Sequence, residues 1–297
     1  MNNTTEITNT KPLKILLSVL PCFFFLYVNV VMLFTLHRKP LFLESSRYIL
    51  FAHLLLTDSL QLLVSIVLYI FAVGMFKVFA LVCHISSLLA NITLKLSPLN
   101  LAVMSLERYV AICFPLRHTD IATTKRTHLA IAVLWIVVSV DSSTQVSLFI
   151  SLQNETMALS NTVVCHRNRI FQKQVDSLLN KAFIIVYFVL VSTVIIFTYI
   201  AVMMTVKSAS SNVHEATKAH KTVLLHLLQL CLCLVSLLYN IINSSHTSSL
   251  KGDVAIHVHY VLFVGFILFP KCLSPLIYGL RDHAFRKVFK YYFTFGL

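Results

Sequence analysis

Residues 182–206 read AFIIVYFVLVSTVIIFTYIAVMMTV, without a charged residue, a proline or a glycine. A helix rising 1.5 Å per residue carries such a stretch about 37 Å, and about 20 mostly apolar residues suffice to cross the roughly 30 Å hydrocarbon core of a bilayer. The stretch therefore predicts a transmembrane helix. Working outward, six further runs meet the same requirement, so that predicted spans lie near 13–36, 48–74, 79–113, 127–151, 177–207, 218–245 and 254–279. Several exceed the minimum, which predicts tilt or extension beyond the bilayer. Backbone amides find no water in hydrocarbon, so spanning segments must satisfy their own hydrogen bonds as helices, and the alternation of a barrel strand is absent. The expected fold class is an all-α membrane protein, a seven-transmembrane helix bundle.

Composition agrees. Of 297 residues, 58% are hydrophobic and 12% charged, where soluble domains carry about 25% charged residues; the mean hydropathy is +0.83. Five glycines, seven prolines and the lack of repeats or low-complexity tracts predict a single domain over residues 1–297. A formal charge of +13 would suit nucleic acid, but the basic residues sit in short segments between apolar runs and not on a stripe with stacking aromatics, so no nucleic-acid partner is expected. The opening MNNTTEITNTKPLK lacks the basic stretch, short apolar core and small-residue cleavage site of a signal peptide. The first apolar run is therefore expected to stay in the mature protein.

Lys/Arg bias sets the expected direction. With the N-terminus outside, fourteen Lys and Arg residues fall in cytoplasmic segments, eight fall outside, and Lys95 and Lys271 remain within spans. The Asn-x-Ser/Thr acceptors Asn2, Asn3 and Asn154 then lie on the extracellular side, as glycosylation requires. After span seven, residues 282–294 place Phe285, Val288, Phe289 and Tyr292 on one face and Arg286, Lys287 and Lys290 largely elsewhere. That pattern predicts an amphipathic helix lying on the lipid of the inner leaflet. Cys83 opens span three and Cys165 lies in the outer loop before span five, both on the side where oxidation is possible. They form either a disulfide that pins the loop over the bundle or two free thiols. The other cysteines, Cys22, Cys113, Cys231, Cys233 and Cys272, are spread through apolar helices as packing residues. Cysteines and histidines show no metal-ligand spacing, and neither metal nor cofactor is expected.

The most specific string is Met104-Ser-Leu-Glu107-Arg108-Tyr109-Val-Ala-Ile-Cys113-Phe-Pro-Leu116 at the end of span three. Span seven ends Pro270-Lys-Cys-Leu-Ser274-Pro275-Leu-Ile-Tyr278-Gly-Leu-Arg281. Span two contains Leu56-Thr-Asp58, span one Asn29, span four Trp135, and span six opens Lys218-Ala-His-Lys-Thr-Val-Leu-Leu-His226. These strings resemble MAYDRYVAICxPL, PxxNPxIYSLRN and KAFSTCxSH of the odorant receptors, and the chain most resembles the teleost odorant receptors within the rhodopsin-like G-protein-coupled receptors. The resemblance covers essentially the whole chain. It implies a receptor that binds a small-molecule odorant within the bundle and activates a heterotrimeric G protein of the stimulatory olfactory type at the cell membrane. It also implies that Glu107 restrains Arg108 in the inactive state, and that Arg108, with Tyr109, Ser274, Pro275 and Tyr278, serves coupling. Spacing supports this independently: Cys83 and Arg108 stand 25 residues apart, about 37 Å of helix, so one faces outside and the other the cytoplasm. Departures mark a divergent branch. Ser274 replaces the usual asparagine, PMYFFL becomes Pro40-Leu-Phe-Leu-Glu44, and the loop before span five holds one cysteine in place of several.

Ionisable groups deep in a span cost about 2.5–3.5 kcal/mol each on insertion scales and so default to paired or functional roles. Asp58 and Lys271 lie at roughly 16 and 14 Å from the inner ends of their spans. Receptors of this kind often hold sodium beside the span-two aspartate, aided by a span-three polar residue, here Ser97; a lysine at matching depth takes the ion's place or else snorkels elsewhere. Lys95 and Asp141 form a second possible couple, their depths differing by roughly 6 Å, within reach of a lysine stem. If unpaired, Lys95 becomes a contact for an acidic or carbonyl-bearing ligand.

Ala90 stands 18 residues before Arg108, a whole number of turns, and shares the inward face of span three with Ser87, Leu94 and Ser97. With Asn91 and Lys95, and with Phe183, Tyr187, Leu237 and Ile241 placed around Ala90 by the resemblance, these are the candidate ligand contacts; ordinary helix packing is the alternative for each. Amine receptors carry an aspartate at the place of Ala90, so an ammonium anchor is missing. A retinal photoreceptor would need its lysine seven residues before Pro275, where Leu268 stands. A transporter would gain from the buried charges, but inverted-repeat symmetry is missing. No nucleophile–base arrangement suggests an enzyme.

Overall fold

A computed structural model describes residues 2–38, 42, 44–74, 76–152, 162–165, 174–209, 224, 227, 228, 231, 232, 234, 235, 265, 269, 271 and 283–294. Five helices among them are long and apolar enough to cross a membrane. Span one is Asn2–Arg38, span two Ser46–Val73, span three Ala80–Cys113, span four Thr124–Leu152 and span five Gln174–Ala209. The helices at spans two to five begin and end within a few residues of 48–74, 79–113, 127–151 and 177–207. Helix one starts eleven residues earlier than expected, because apolarity limits only the part of a helix inside hydrocarbon and leaves polar turns free to continue outside it. Most of spans six and seven, with Leu237, Ile241, Ser274, Pro275 and Tyr278, lies outside the described residues, as does Asn154. The amphipathic C-terminal helix is His283–Phe293.

Span five explains how an all-apolar helix chooses its inner face. Ile184, Tyr187, Val191, Ile195, Thr198 and Val202 are buried, at steps of three and four, while Ile185, Val186, Val189, Leu190, Ile196, Phe197, Ile200 and Met204 stay exposed. Such an exposed stripe is compatible with lipid and not with water. Tyr187, Val191 and Ile195 of the buried stripe join Val28, Met32, Leu50, Leu54, Leu96, Leu99, Met104 and Val138 in one core shared by spans one to five, while Ile184 packs with Leu94. Phe285 of the C-terminal helix closes that core at one end, its ring 5.9 Å from both Phe42 and Phe51. Tyr292 and Phe293 pack on Phe34 and Tyr27 of span one, while Arg286, Lys287 and Lys290 point away, exposed.

At the other end, span two stops at Gly74, whose N–H donates to the Ile70 carbonyl at 2.9 Å. A Cβ here would lie 2.4 Å from the Phe76 ring, so glycine permits the close turn into β1 (Lys77–Phe79). β1 pairs antiparallel with β2 (Thr162–Val164), Lys77 opposite Val164 and Phe79 opposite Thr162. Beside this pair Cys83 is bonded to Cys165, their Cα atoms 5.6 Å apart. Strand pairing and disulfide together fasten the loop after span four to the head of span three.

Candidate functional site

Span three is the spine of the site, since among the described residues each polar cluster in the bundle includes one of its side chains. Near its C-terminal end Glu107 binds two partners. Its Oε2 lies 3.6 Å from Arg108 Nε, and its Oε1 is 3.2 Å from Nε2 of His118, which sits in the short helix His118–Ile121 after the 3-10 turn Pro115–Arg117. His118 was not anticipated; the sequence signal for it was its place two residues after Leu116 in the loop that doubles back under Glu107. Tyr109 packs between Phe114 and Phe197 at 5.8 and 5.5 Å, and Cys113 Sγ lies 3.1 Å from Thr205 Oγ1. Both contacts tie the inner end of span three to span five. Cys22 is buried as expected, but Cys231 is exposed, so helical position alone did not make it a packing residue.

Above this end, three polar stations join spans two and three. In the lowest, Trp135 Nε1 donates to His53 Nε2 at 2.9 Å. An indole N–H only donates, so His53 Nε2 must accept and its Nδ1–H donates to Asn100 Oδ1 at 3.2 Å. Asn100 in turn donates to the Leu50 carbonyl at 2.9 Å, and spans two, three and four are linked by one neutral chain. In the middle station Lys271 Nζ lies 2.5 Å from Asp58 Oδ1 and also donates to Ser97 Oγ, while the Ser97 hydroxyl donates to the same carboxylate oxygen at 2.6 Å. Asp58 is 1% exposed and Lys271 4%. In the upper station Thr93 donates to Gln61 Oε1, and Gln61 Nε2 to Ser65 Oγ at 3.3 Å. Asn29, also fully buried, has no hydrogen-bond partner among the described residues.

On the opposite side of span three, Lys95 pairs with Asp141 of span four. Lys95 is 0% exposed and Asp141 1%. Asn180 of span five adds an acceptor 3.3 Å from Lys95 Nζ, and the Tyr187 ring centroid lies 5.8 Å away, a cation–π distance. The condition under which Lys95 would meet an acidic ligand, the lack of a partner, therefore does not hold. Asn180 was missed because an isolated asparagine in a span carries no pattern. Ser87 and Leu94 are buried on the same helix, Ala90, Asn91 and Phe183 partly so, and Tyr187 lies in the core.

Seven apolar segments, a Glu-Arg pair at the inner end of span three and a bridge at its outer end meet in one further finding. A profile of the family described as 7 transmembrane receptor (rhodopsin family) matches residues 26–278. The chain belongs to this family. It is thus a seven-transmembrane helix bundle and a multi-pass membrane receptor, not an enzyme. Among its relatives, Odorant receptor 131-2 of Danio rerio is 36% identical over 279 residues, covering 92% of this chain and 83% of that protein. Olfactory receptor 51B5 of Homo sapiens is 27% identical over 201 residues, 65% of this chain and 62% of that protein. Galanin receptor 2a of Danio rerio is 24% identical over 223 residues, 71% of this chain and 58% of that protein.

The sodium ion that such receptors hold beside the span-two aspartate can be tested against the residues present. Asp58 and Ser97 supply two of the oxygens expected for it, but the ammonium of Lys271 contacts both. The donor set therefore fits a tethered cation and not a diffusible one.

Proposed function

We propose that this receptor is an odorant receptor. It binds a small molecule between spans three, five, six and seven and passes the resulting population shift to a heterotrimeric G protein of the stimulatory olfactory type. The observation that carries the reading is the 36% identity over 92% of the chain to a protein named as an odorant receptor. Ser87, Ala90, Asn91 and Leu94 of span three, with Phe183 and Tyr187 of span five, form the ligand contacts. Leu237 and Ile241 complete the set from span six. With Lys95 held by Asp141, this surface offers small, mostly apolar groups and one amide, which suits an uncharged ligand. Arg108, Glu107 and Tyr109 form the coupling face together with Ser274, Pro275 and Tyr278.

The test is to express the receptor with an olfactory G protein and screen water-soluble odorants. A saturable rise in cyclic AMP, absent from cells without the receptor, is the expected result. A response to peptides with none to small molecules overturns the reading in favour of a peptide receptor.

The N-terminus and the glycosylation sites Asn2, Asn3 and Asn154 face outside, the C-terminal helix rests on inner-leaflet lipid, and the chain forms one receptor domain. Lys/Arg bias and the disulfide, which needs an oxidising compartment, support this orientation. On intact cells, Cys83 and Cys165 are expected to resist a membrane-impermeant thiol reagent until a reductant is added and to react afterwards. Reaction before reduction removes the bridge, and reaction only in permeabilised cells reverses the topology.

A further inference from the structure

We infer that Lys271 supplies this receptor with a permanent, covalently tethered cation at the junction of spans two, three and seven, and that its conformational equilibrium is consequently indifferent to sodium. The inference rests on the bundle's geometry and on no particular ligand.

The charge count leads to it. Asp58 brings one negative charge into a site that is almost wholly buried, and Lys271 Nζ stands 2.5 Å from its Oδ1. The pair is neutral. A sodium ion added beside it would leave an uncompensated positive charge in a low-dielectric interior, where unpaired charge is costly. The hydrogen bonds argue the same way. Oδ1 of Asp58 accepts from both Lys271 and Ser97, and Ser97 Oγ accepts from Lys271. The two oxygens best placed to strip water from a metal ion thus already face N–H and O–H donors. The neighbouring stations are engaged as well: Gln61 and Thr93 with each other on the outer side, His53 and Asn100 with Trp135 and Leu50 on the inner. A diffusible ion leaves when its cage opens. A lysine cannot leave, so any rearrangement of span seven against spans two and three must carry the ammonium along or break its bonds to Asp58 and Ser97.

Purified receptor in lipid discs, with no odorant or G protein, is the material for the test, so a failure to find an odorant leaves the outcome unaffected. The thermal midpoint of unfolding is measured in sodium chloride and in choline chloride at equal ionic strength. The wild-type midpoint is expected to be the same in both. Asp58→Asn and Lys271→Met, each stranding a group in the interior, are expected to lower it by roughly 10 °C, and the double variant Asp58→Asn/Lys271→Met to recover most of that loss. Should Lys271→Met alone not fold, the double variant is compared with Asp58→Asn, over which it is expected to gain. A wild-type midpoint raised by sodium and not by choline, with the rise lost in Asp58→Asn, overturns the proposal. So does a double variant no more stable than Asp58→Asn alone, which would show that Lys271 does not answer the aspartate's charge.

Discussion

Replacing Arg108 with alanine is expected to abolish G-protein signalling while leaving the receptor at the cell surface. The two halves of this expectation have separate physical grounds. Arg108 is partly solvent-accessible at the inner end of span three, and its link to Glu107 is long, at 3.6 Å. At that separation the contact is longer than a hydrogen bond, and Glu107 keeps His118 as a second partner at 3.2 Å. The packing that holds this end of the bundle comes from Tyr109 on Phe114 and Phe197 and from Phe285 on Phe42 and Phe51, none of which the substitution removes. Folding should therefore survive. Signalling should not, because a guanidinium at the C-terminal end of span three offers five rigidly arranged donors that alanine lacks, and the family resemblance assigns those donors to the G protein. Surface staining and cyclic AMP read the two halves in the same cells. A loss greater than about tenfold, equivalent to about 1.4 kcal/mol, is expected at equal surface density, and undiminished signalling would count decisively against the role. Lysine at the same place keeps charge but not the planar fork, so it should restore little.

Sequence and structure agree where the physics is local and part where it is not. Span bounds are legible because the cost of placing polar groups in hydrocarbon acts residue by residue, and the C-terminal helix because Phe285, Val288, Phe289 and Tyr292 repeat at helical spacing. Depth is legible too, since a helix converts residue number into distance, and it sets Asp58 and Lys271 at one level although 213 positions separate them. Rotation is harder. Span five is apolar on every face, so no periodicity in its sequence distinguishes buried Ile184, Val191 and Ile195 from lipid-facing Ile185, Val189 and Ile196. The β1–β2 pair escaped notice for another reason: three-residue strands more than eighty positions apart leave no local trace, and their pairing exists because the disulfide and the turn at Gly74 bring them side by side. Asn180 and His118 illustrate a third limit, single polar residues whose meaning depends entirely on what the fold sets opposite them.

Breaking the Lys95–Asp141 pair by one substitution is expected to cost about 3–5 kcal/mol. Lys95→Met takes the bonded ammonium away from the buried Asp141 carboxylate, and it also removes the donor that Asn180 Oδ1 accepts from at 3.3 Å. Among the described residues Asp141→Leu leaves the Lys95 ammonium with Asn180 and the Tyr187 ring, too little to replace a full negative charge. Each single variant should therefore reach the surface in much smaller amount. The double variant Lys95→Met/Asp141→Leu replaces the pair by apolar side chains of similar bulk in an interior bounded by Tyr187 and Val138, and replacements of that sort are often neutral or stabilising. Surface yield and thermal midpoint of the four proteins complete a double-mutant cycle, and a coupling of at least about 2 kcal/mol is expected. A coupling near zero would mean that the two charges are satisfied separately. Function then separates the pair's two conceivable uses. If Lys95 serves the bundle and not the ligand, the well-folded double variant should answer uncharged odorants as the wild type does. If the double variant folds normally yet loses its response to a carboxylate or carbonyl ligand alone, then Lys95 exchanges Asp141 for the ligand on binding, and the lysine belongs to the recognition surface after all.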